Sequence, residues 1–195
     1  MRAGEQGAIA WLPTLLRGRP RTRGDLIRQP RSRHPQTLWL IVVDASASTR
    51  RSRALTQAKG LLAQLFDDGY RQRARLALLT ASGSKARWQY QGHKASRGLQ
   101  PWLDALGAGG GTPLVDALQQ AADWLQRRQR RYPDEVQRVW VLTDGRIRET
   151  DGLPQFPCPC CLIDIEQGPI RLGRARQLAA QLNARYQSLD ELKTV

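Results

Sequence analysis

Four apolar runs, each about the length of a β-strand, alternate along the chain with segments whose apolar residues recur at helical spacing. The runs are 38-LWLIVV-43, 75-RLALLT-80, 138-RVWVLT-143 and 160-CCLIDI-165. The first contains no polar residue, which is typical of a strand covered on both faces. Strands that alternate with helices form βαβ units. We therefore predict an α/β fold with a doubly wound, mostly parallel central sheet and helices on both faces.

The remaining elements follow from periodicity and from turn residues. Helices are predicted over residues 53–66, 99–106, 114–131 and 171–183. The first of these should stop before Gly69, because helices commonly end at a glycine. Residues 86–91 alternate in character and predict a shorter strand near an edge, and residues 185–189 predict a last short strand or an extended tail.

Carboxylates and hydroxyls follow two of the predicted strands. Asp44 opens 44-DASAS-48 directly after the first strand, and Asp144 follows the strand over 138–143. Thr112 closes the glycine-rich loop 107-GAGGGT-112 ahead of the long helix. Loops at the carboxyl ends of strands converge in such sheets. Two carboxylates with three hydroxyls suit Mg2+ or Mn2+ better than zinc, and an open position on the ion would attract an external carboxylate.

This pattern resembles the metal-ion-dependent adhesion site of von Willebrand factor A domains. The resemblance implies an ion-binding set of Asp44, Ser46, Ser48, Thr112 and Asp144. Longer stretches resemble the C-terminal region of the D-type subunit of magnesium chelatase. They are 41-IVVDASAS-48, 56-TQAKG-60, 107-GAGGGTPL-114, 141-VLTDGR-146 and 162-LIDIEQGPIRLGRARQLAAQLNARYQSLDEL-192. Ala47 and Thr49 depart from the family pattern, which has glycine and methionine there.

The resemblance implies a subunit without catalytic activity of its own. Such a subunit links a ring of AAA+ ATPase subunits to a large subunit that inserts Mg2+ or Co2+ into a tetrapyrrole. The AAA+ region and the acidic, proline-rich linker that are typical of the D-type subunit have no counterpart in the sequence. We therefore expect the ATPase to be a separate chain, and which of the two metals is inserted stays open.

Positive charge dominates the composition. Lysine and arginine total 31 against 17 acids, for a net charge of +14, and such a surface attracts anionic partners. We predict a basic arm over residues 1–34 and a von Willebrand factor A-like domain over 35–195. From residue 17 to residue 33 the arm is rich in arginine and contains a single acid, Asp25. These arginines are Arg17, Arg19, Arg21, Arg23, Arg28, Arg31 and Arg33. The arm is either a solvated segment or a docking segment for an acidic protein surface.

Location follows from what the sequence lacks. No apolar run approaches the roughly 20 residues of a membrane span. The apolar patch 8-AIAWLPTLL-16 leads into arginines without a cleavage site, so a signal peptide is not expected. Three cysteines within 158-CPCC-161 cannot form a disulfide framework, which favours a reducing cytoplasm. With no second pair of ligands nearby, we interpret Cys158, Cys160 and Cys161 as buried strand thiols.

Two alternatives to the chelatase interpretation remain. One is an adaptor for a MoxR-type AAA+ ATPase that remodels proteins, against which the match over 162–192 argues. The other is a basic nucleic-acid-binding protein of the von Willebrand A class. Nucleic acid is not the expected partner, because Trp39, Trp124 and Trp140 lie within apolar, periodic segments typical of a core. The glycine-rich loop lacks the Lys-Ser or Lys-Thr of a phosphate-binding loop.

Overall fold

The computed structural model describes residues 8–28, 36–45, 54–95, 103, 106, 113–147, 150–167 and 172–192. The chain divides into two compact units, Met1–Pro35 and Gln36–Val195.

The first unit contains a short helix, α1 (Trp11–Leu16), and a 3-10 turn over Arg23–Asp25. The buried Thr14 hydroxyl donates to the Ala10 carbonyl at 2.7 Å and accepts the Ile27 amide at 3.0 Å. Asp25 Oδ2 accepts the amides of Arg21 and Thr22, and these bonds hold the pKa of Asp25 below its usual value. Thr14 therefore ties α1 to the segment that follows it.

The second unit is built on a six-stranded sheet. Its strands are β1 (Thr37–Asp44), β2 (Arg75–Ser82), β3 (Lys85–Lys94), β4 (Val136–Thr143), β5 (Cys160–Asp164) and β6 (Arg185–Ser188). They lie in the order β3-β2-β1-β4-β5-β6, and only the β2–β3 hairpin is antiparallel. This arrangement confirms the predicted mostly parallel, doubly wound sheet. The alternating strand predicted over 86–91 lies at an edge as expected, but it is longer than predicted, over Lys85–Lys94.

Helices cover both faces of the sheet. They are α2 (Ala54–Arg71), α3 (Leu114–Arg131), α4 (Arg174–Gln181) and α5 (Leu189–Leu192). Even-numbered residues of β1, such as Leu40 and Val42, pack with α3 and α4, whereas Ile41 and Val43 pack with α2. The strands are thus apolar on both faces because each face lies under helices. None of the helices in the described ranges is long and apolar enough to cross a membrane.

Helix α2 is longer than predicted. The expected stop before Gly69 is wrong, because the helix continues through this residue to Arg71. A Cβ on Gly69 would lie 3.1 Å from Leu76 Cδ2, so the glycine serves close packing of the helix on the sheet. The chain leaves the helix after Arg71 through Arg73, whose φ is 52°, with the Ala74 amide donating to the Gly69 carbonyl at 2.8 Å. This is a Schellman motif without glycine at its left-handed position.

The C-terminal elements also differ from prediction. Helix α4 occupies 174–181 rather than 171–183. It starts after Gly173, which has a φ of 66°, and it ends before Asn183, which has a φ of 50°, with the Ala184 amide donating to the Ala179 carbonyl. The predicted last strand is β6, parallel to β5, and the short helix α5 follows it. Most of the predicted helix 99–106 lies outside the described residues. Leu103 and Leu106, the two residues of this range that are described, are buried.

Candidate metal centre

Asp44 and Asp144 lie at the carboxyl ends of two neighbouring strands. Asp44 is the last residue of β1, and Asp144 directly follows β4. The two strands are parallel and in register, with Val43 opposite Leu142. Both aspartates are buried, with exposures of 0% and 4%. The structure therefore brings two of the five predicted ligands to one edge of the sheet.

Thr143 connects the two aspartates. Its hydroxyl donates to Asp44 Oδ2 at 2.8 Å and accepts the Gly145 amide at 3.0 Å. Gly145 has a φ of +70°, and a Cβ there would lie 2.3 Å from the Ala175 backbone nitrogen in α4. The turn that carries Asp144 is thus fixed on one side by Asp44 through Thr143 and on the other by contact with α4.

A second pair of buried acids lies at the end of β5. Asp164 is opposite Thr143 in the β4–β5 register. Its Oδ1 accepts the Glu166 amide, and its Oδ2 accepts the Tyr186 hydroxyl, both at 2.8 Å. Burial, followed by the hydrogen bond to Asp164, raises the pKa of Tyr186 to about 12. Tyr186 therefore stays a neutral donor to Asp164 at physiological pH.

Arg146 joins this pair to the Asp144 turn. Its amide donates to Asp144 Oδ1 at 3.0 Å, and its guanidinium Nε lies 3.9 Å from Asp144 Oδ2. Its Nη2 donates to Glu166 Oε1 at 3.2 Å. Sequence reasoning missed Thr143, Arg146 and Glu166. The signal for the first two was their position beside Asp144, but their partners depend on strand register and loop packing.

Three predicted ligands, Ser46, Ser48 and Thr112, lie outside the described residues. Within the described ranges, no group of three or more His, Cys, Asp and Glu side chains is arranged to hold a metal ion. Ala45, which precedes Ser46, and the first turn of α3, which follows Thr112, do lie at this edge. The Ala45 amide donates to the Ala81 carbonyl near the end of β2, and Asp116 in the first turn of α3 accepts the Ala86 amide at 3.4 Å.

The cysteines lie elsewhere and are poorly suited to metal binding. Cys160 is a buried strand thiol as predicted, whereas Cys158 precedes β5 and, like Cys161, is only partly buried. Burial raises the pKa of Cys158 to about 11 and that of Cys160 to about 12. Metal ions bind the thiolate. These two thiols are therefore protonated at neutral pH.

The tryptophans pack within the domain. Trp39 is buried and meets the half-buried Trp140 edge-on, with ring centroids 6.2 Å apart. Trp124 on α3 packs against Trp88 at 5.2 Å and beneath the Arg128 guanidinium at 5.1 Å. The expectation that they are core residues holds fully for Trp39 and partly for the two half-buried rings.

The profile of the von Willebrand factor type A domain family matches residues 39–146, which include both strand-end aspartates. The chain belongs to this family. The resemblance to a magnesium chelatase subunit is also confirmed. The chain is 35% identical over 111 residues to the magnesium-chelatase 67 kDa subunit of Chlorobaculum parvum, an alignment that covers 56% of this chain and 17% of that protein. It is 32% identical over 107 residues to the 60 kDa subunit of Rhodobacter capsulatus, covering 55% and 18%.

A relative of unassigned function aligns over more of the chain. It is an uncharacterized protein of Mycobacterium tuberculosis, 29% identical over 188 residues, which cover 86% of this chain and 28% of that protein. The chain thus spans less than a third of the length of each of these relatives.

Solved structures confirm the fold. The manganese-loaded TRAP protein of Plasmodium vivax superposes with a TM-score of 0.63 at 21% identity, covering 80% of this chain and 70% of that one. A von Willebrand factor type A protein of Catenulispora acidiphila gives 0.58 at 22%, covering 79% and 38%. The mussel byssus protein PTMP1, with a zinc-occupied adhesion motif, gives 0.57 at 17%, covering 82% and 46%.

Proposed function

We propose that this von Willebrand factor A protein is a non-catalytic adaptor subunit of an AAA+-driven metal chelatase. It binds a partner subunit through a divalent cation held by Asp44, Ser46, Ser48, Thr112 and Asp144. The observation that carries the proposal is the hydrogen-bonded link from Asp44 through Thr143 to the Asp144 turn, in a chain similar to magnesium chelatase subunits.

The donor chemistry fits Mg2+ or Mn2+. Two carboxylates on neighbouring strand ends supply hard oxygen ligands. Ser46 directly follows the described Ala45, and Thr112 directly precedes Pro113 at the start of α3. Each residue extends the chain by at most about 3.6 Å, so the hydroxyls are within reach of the same edge.

Burial supports a cation between the aspartates. Asp44 and Asp144 are almost fully removed from water. Two carboxylate charges at neighbouring strand ends and away from water repel, and an opposite charge between them offsets that repulsion. A bound divalent ion would supply a coordination position for an external carboxylate. This chain's residues position the ligands, with Thr143 orienting Asp44 and the Arg146 amide orienting Asp144.

The partner class rests on the similarity to chelatase subunits. It supports an AAA+ ATPase and a large metal-inserting subunit as partners, in preference to a MoxR-type ATPase or nucleic acid. The metal that the complex inserts, magnesium or cobalt, is its substrate and would be bound by another subunit. The cytoplasm is the proposed location, supported by three free cysteines confined to four residues.

A co-purification experiment tests the adaptor function. The probes are the AAA+ ATPase and large chelatase subunits encoded in the same genome, each mixed with the tagged full chain in Mg2+ or in EDTA. We expect one of them to be retained in Mg2+ and lost in EDTA. Asp144→Asn should weaken retention by roughly ten-fold or more, the scale of one charge-assisted contact. Asp134→Asn is the matched control, because Asp134 is an exposed acid at the opposite edge of the sheet.

Retention that is equally strong in EDTA and in the Asp144→Asn protein would rule out the ion as the point of attachment. Retention of neither probe under any condition would contradict the adaptor function itself.

A further inference from the structure

We propose that Arg146 is an internal competitor of the divalent cation for Asp144, and that Glu166 holds it back. The proposal rests on the proposed ion site, whose affinity it would set. Arg146 would lower that affinity and Glu166 would raise it, although neither residue is an ion ligand.

The distances favour Glu166 as the partner of Arg146. Arg146 Nη2 lies 3.2 Å from Glu166 Oε1, which is within hydrogen-bonding range. Its Nε lies 3.9 Å from Asp144 Oδ2, which is an ion pair without a hydrogen bond. The guanidinium is therefore in electrostatic contact with both carboxylates but bonded to one.

The two carboxylates are held in place, whereas the arginine has room to reorient. The side chains of Glu166 and Asp144 are 1% and 5% exposed, whereas that of Arg146 is 42% exposed. Glu166 Oε2 accepts the amides of Leu172 and Gly173 at 2.9 and 3.3 Å, ahead of α4. These bonds leave Oε1 directed to Arg146. A change of partner would thus move the guanidinium rather than either acid.

The charges then determine the direction of each effect. A guanidinium and a divalent cation are both attracted to the Asp144 carboxylate, so a closer Arg146 weakens ion binding. Glu166 acts through Arg146 alone, by drawing the guanidinium away from Asp144. Without the charge on Glu166, Asp144 becomes the carboxylate to which Arg146 bonds. Without Arg146, this competition with the ion disappears.

A set of variants tests this competition in the full chain. Mn2+ affinity is measured from the electron paramagnetic resonance signal of free Mn2+ during titration of metal-free protein. We expect Glu166→Gln to weaken Mn2+ binding by about ten-fold and Arg146→Gln to strengthen it several-fold. The double variant should bind as tightly as Arg146→Gln alone. Arg146→Lys keeps the charge and should stay near wild type. Arg138→Gln, at the amino end of β4, is the control for removal of an exposed arginine.

The double variant separates competition from structural damage. If it binds as weakly as Glu166→Gln alone, Glu166 acts by holding the start of α4, and the proposal is overturned. Unchanged affinity in Arg146→Gln overturns it as well, even if Glu166→Gln does not fold. Loss of Mn2+ binding in Asp144→Asn with no effect of either single variant leaves the ion site standing and removes only the competition. A wild-type chain that binds no Mn2+ refutes both.

Discussion

The Thr143 hydroxyl makes two hydrogen bonds that link the strand end of Asp44 to the turn of Asp144. It donates to the buried Asp44 carboxylate and accepts the Gly145 amide, so one side chain joins β1 to the turn after β4. A hydrogen bond to a charged group contributes more to stability than one between neutral groups, because the charge would otherwise be buried with fewer partners. The arrangement of the candidate site therefore depends on a residue that is not an expected ligand.

We predict that Thr143→Val lowers the free energy of unfolding by about 2–3 kcal/mol, since valine keeps the shape and the strand preference but removes both bonds. Thr80→Val is the matched control in β2. The Thr80 hydroxyl is also buried, but both of its partners are neutral: it donates to the Arg87 carbonyl and accepts from the side-chain amide of Gln89. This control should lose about 1 kcal/mol. Urea unfolding measures both values, and equal losses would mean that the Asp44 carboxylate gives Thr143 no special weight.

Single residues were predictable where position in the sequence defines their role. Asp44 and Asp144 each follow an apolar run, and both lie at the predicted edge. Ser46, Ser48 and Thr112 stay a prediction. Glu166 could not be assigned in advance, because its partners are Arg146 and two amides that only the folded loop brings together.

Two glycines of the domain differ in whether the structure requires a glycine at their position. Gly145 has a φ of +70° and lies against the backbone of α4, whereas a Cβ built on Gly60 in the middle of α2 would meet no atom of the described residues within 4 Å. The first glycine is required by conformation and by space. The second is required by neither, and it costs helix stability because glycine loses more backbone freedom on folding than alanine does.

We predict opposite effects of the same substitution at these two positions. Gly145→Ala should destabilise the protein by roughly 2–4 kcal/mol, from left-handed strain and overlap with α4. Gly60→Ala should stabilise it by about 0.5–1 kcal/mol. Thermal and urea unfolding of the two variants measure the difference. If Gly145→Ala leaves the free energy of unfolding unchanged, α4 can move away from the turn after β4 without loss of stability.

Element type was predictable from periodicity, and element ends were less so. Helix α3 begins and ends where its apolar stripe and terminal arginines place it, over 114–131. The end of α2 was misplaced because Gly69 marks a packing contact, and nothing in the sequence distinguishes that from a helix stop. The order of the strands in the sheet could not be predicted either, because periodicity identifies a strand but does not show which strands lie beside it.

Among the described residues, four of the five buried acids lie at one edge of the sheet, and the fifth, Glu135, pairs with Arg128 at the opposite edge. Asp44, Asp144, Asp164 and Glu166 all lie at or just after the carboxyl ends of β1, β4 and β5. Several arginines lie at the other edge, with Arg128 and Arg131 in the last turn of α3, which ends near the amino edge, and Arg75 and Arg138 near the starts of β2 and β4, whereas Arg146 lies beside the acids. The excess of buried acids at the carboxyl edge favours a cation there.

Ion binding at that edge should therefore stabilise the whole fold. A ligand that binds only the native state adds about 2.7 kcal/mol at 100 times its dissociation constant. For a chain of 195 residues, each kcal/mol raises the unfolding midpoint by about 2–4 °C, so saturating Mg2+ should raise it by roughly 5–11 °C. Asp44→Asn and Asp144→Asn remove one ligand charge each and should abolish most of the increase. Asp134→Asn, at the other edge, should keep it. Calorimetry in EDTA and in Mg2+ measures the shift, and an increase that persists in both ligand variants would place the stabilising ion elsewhere on the protein.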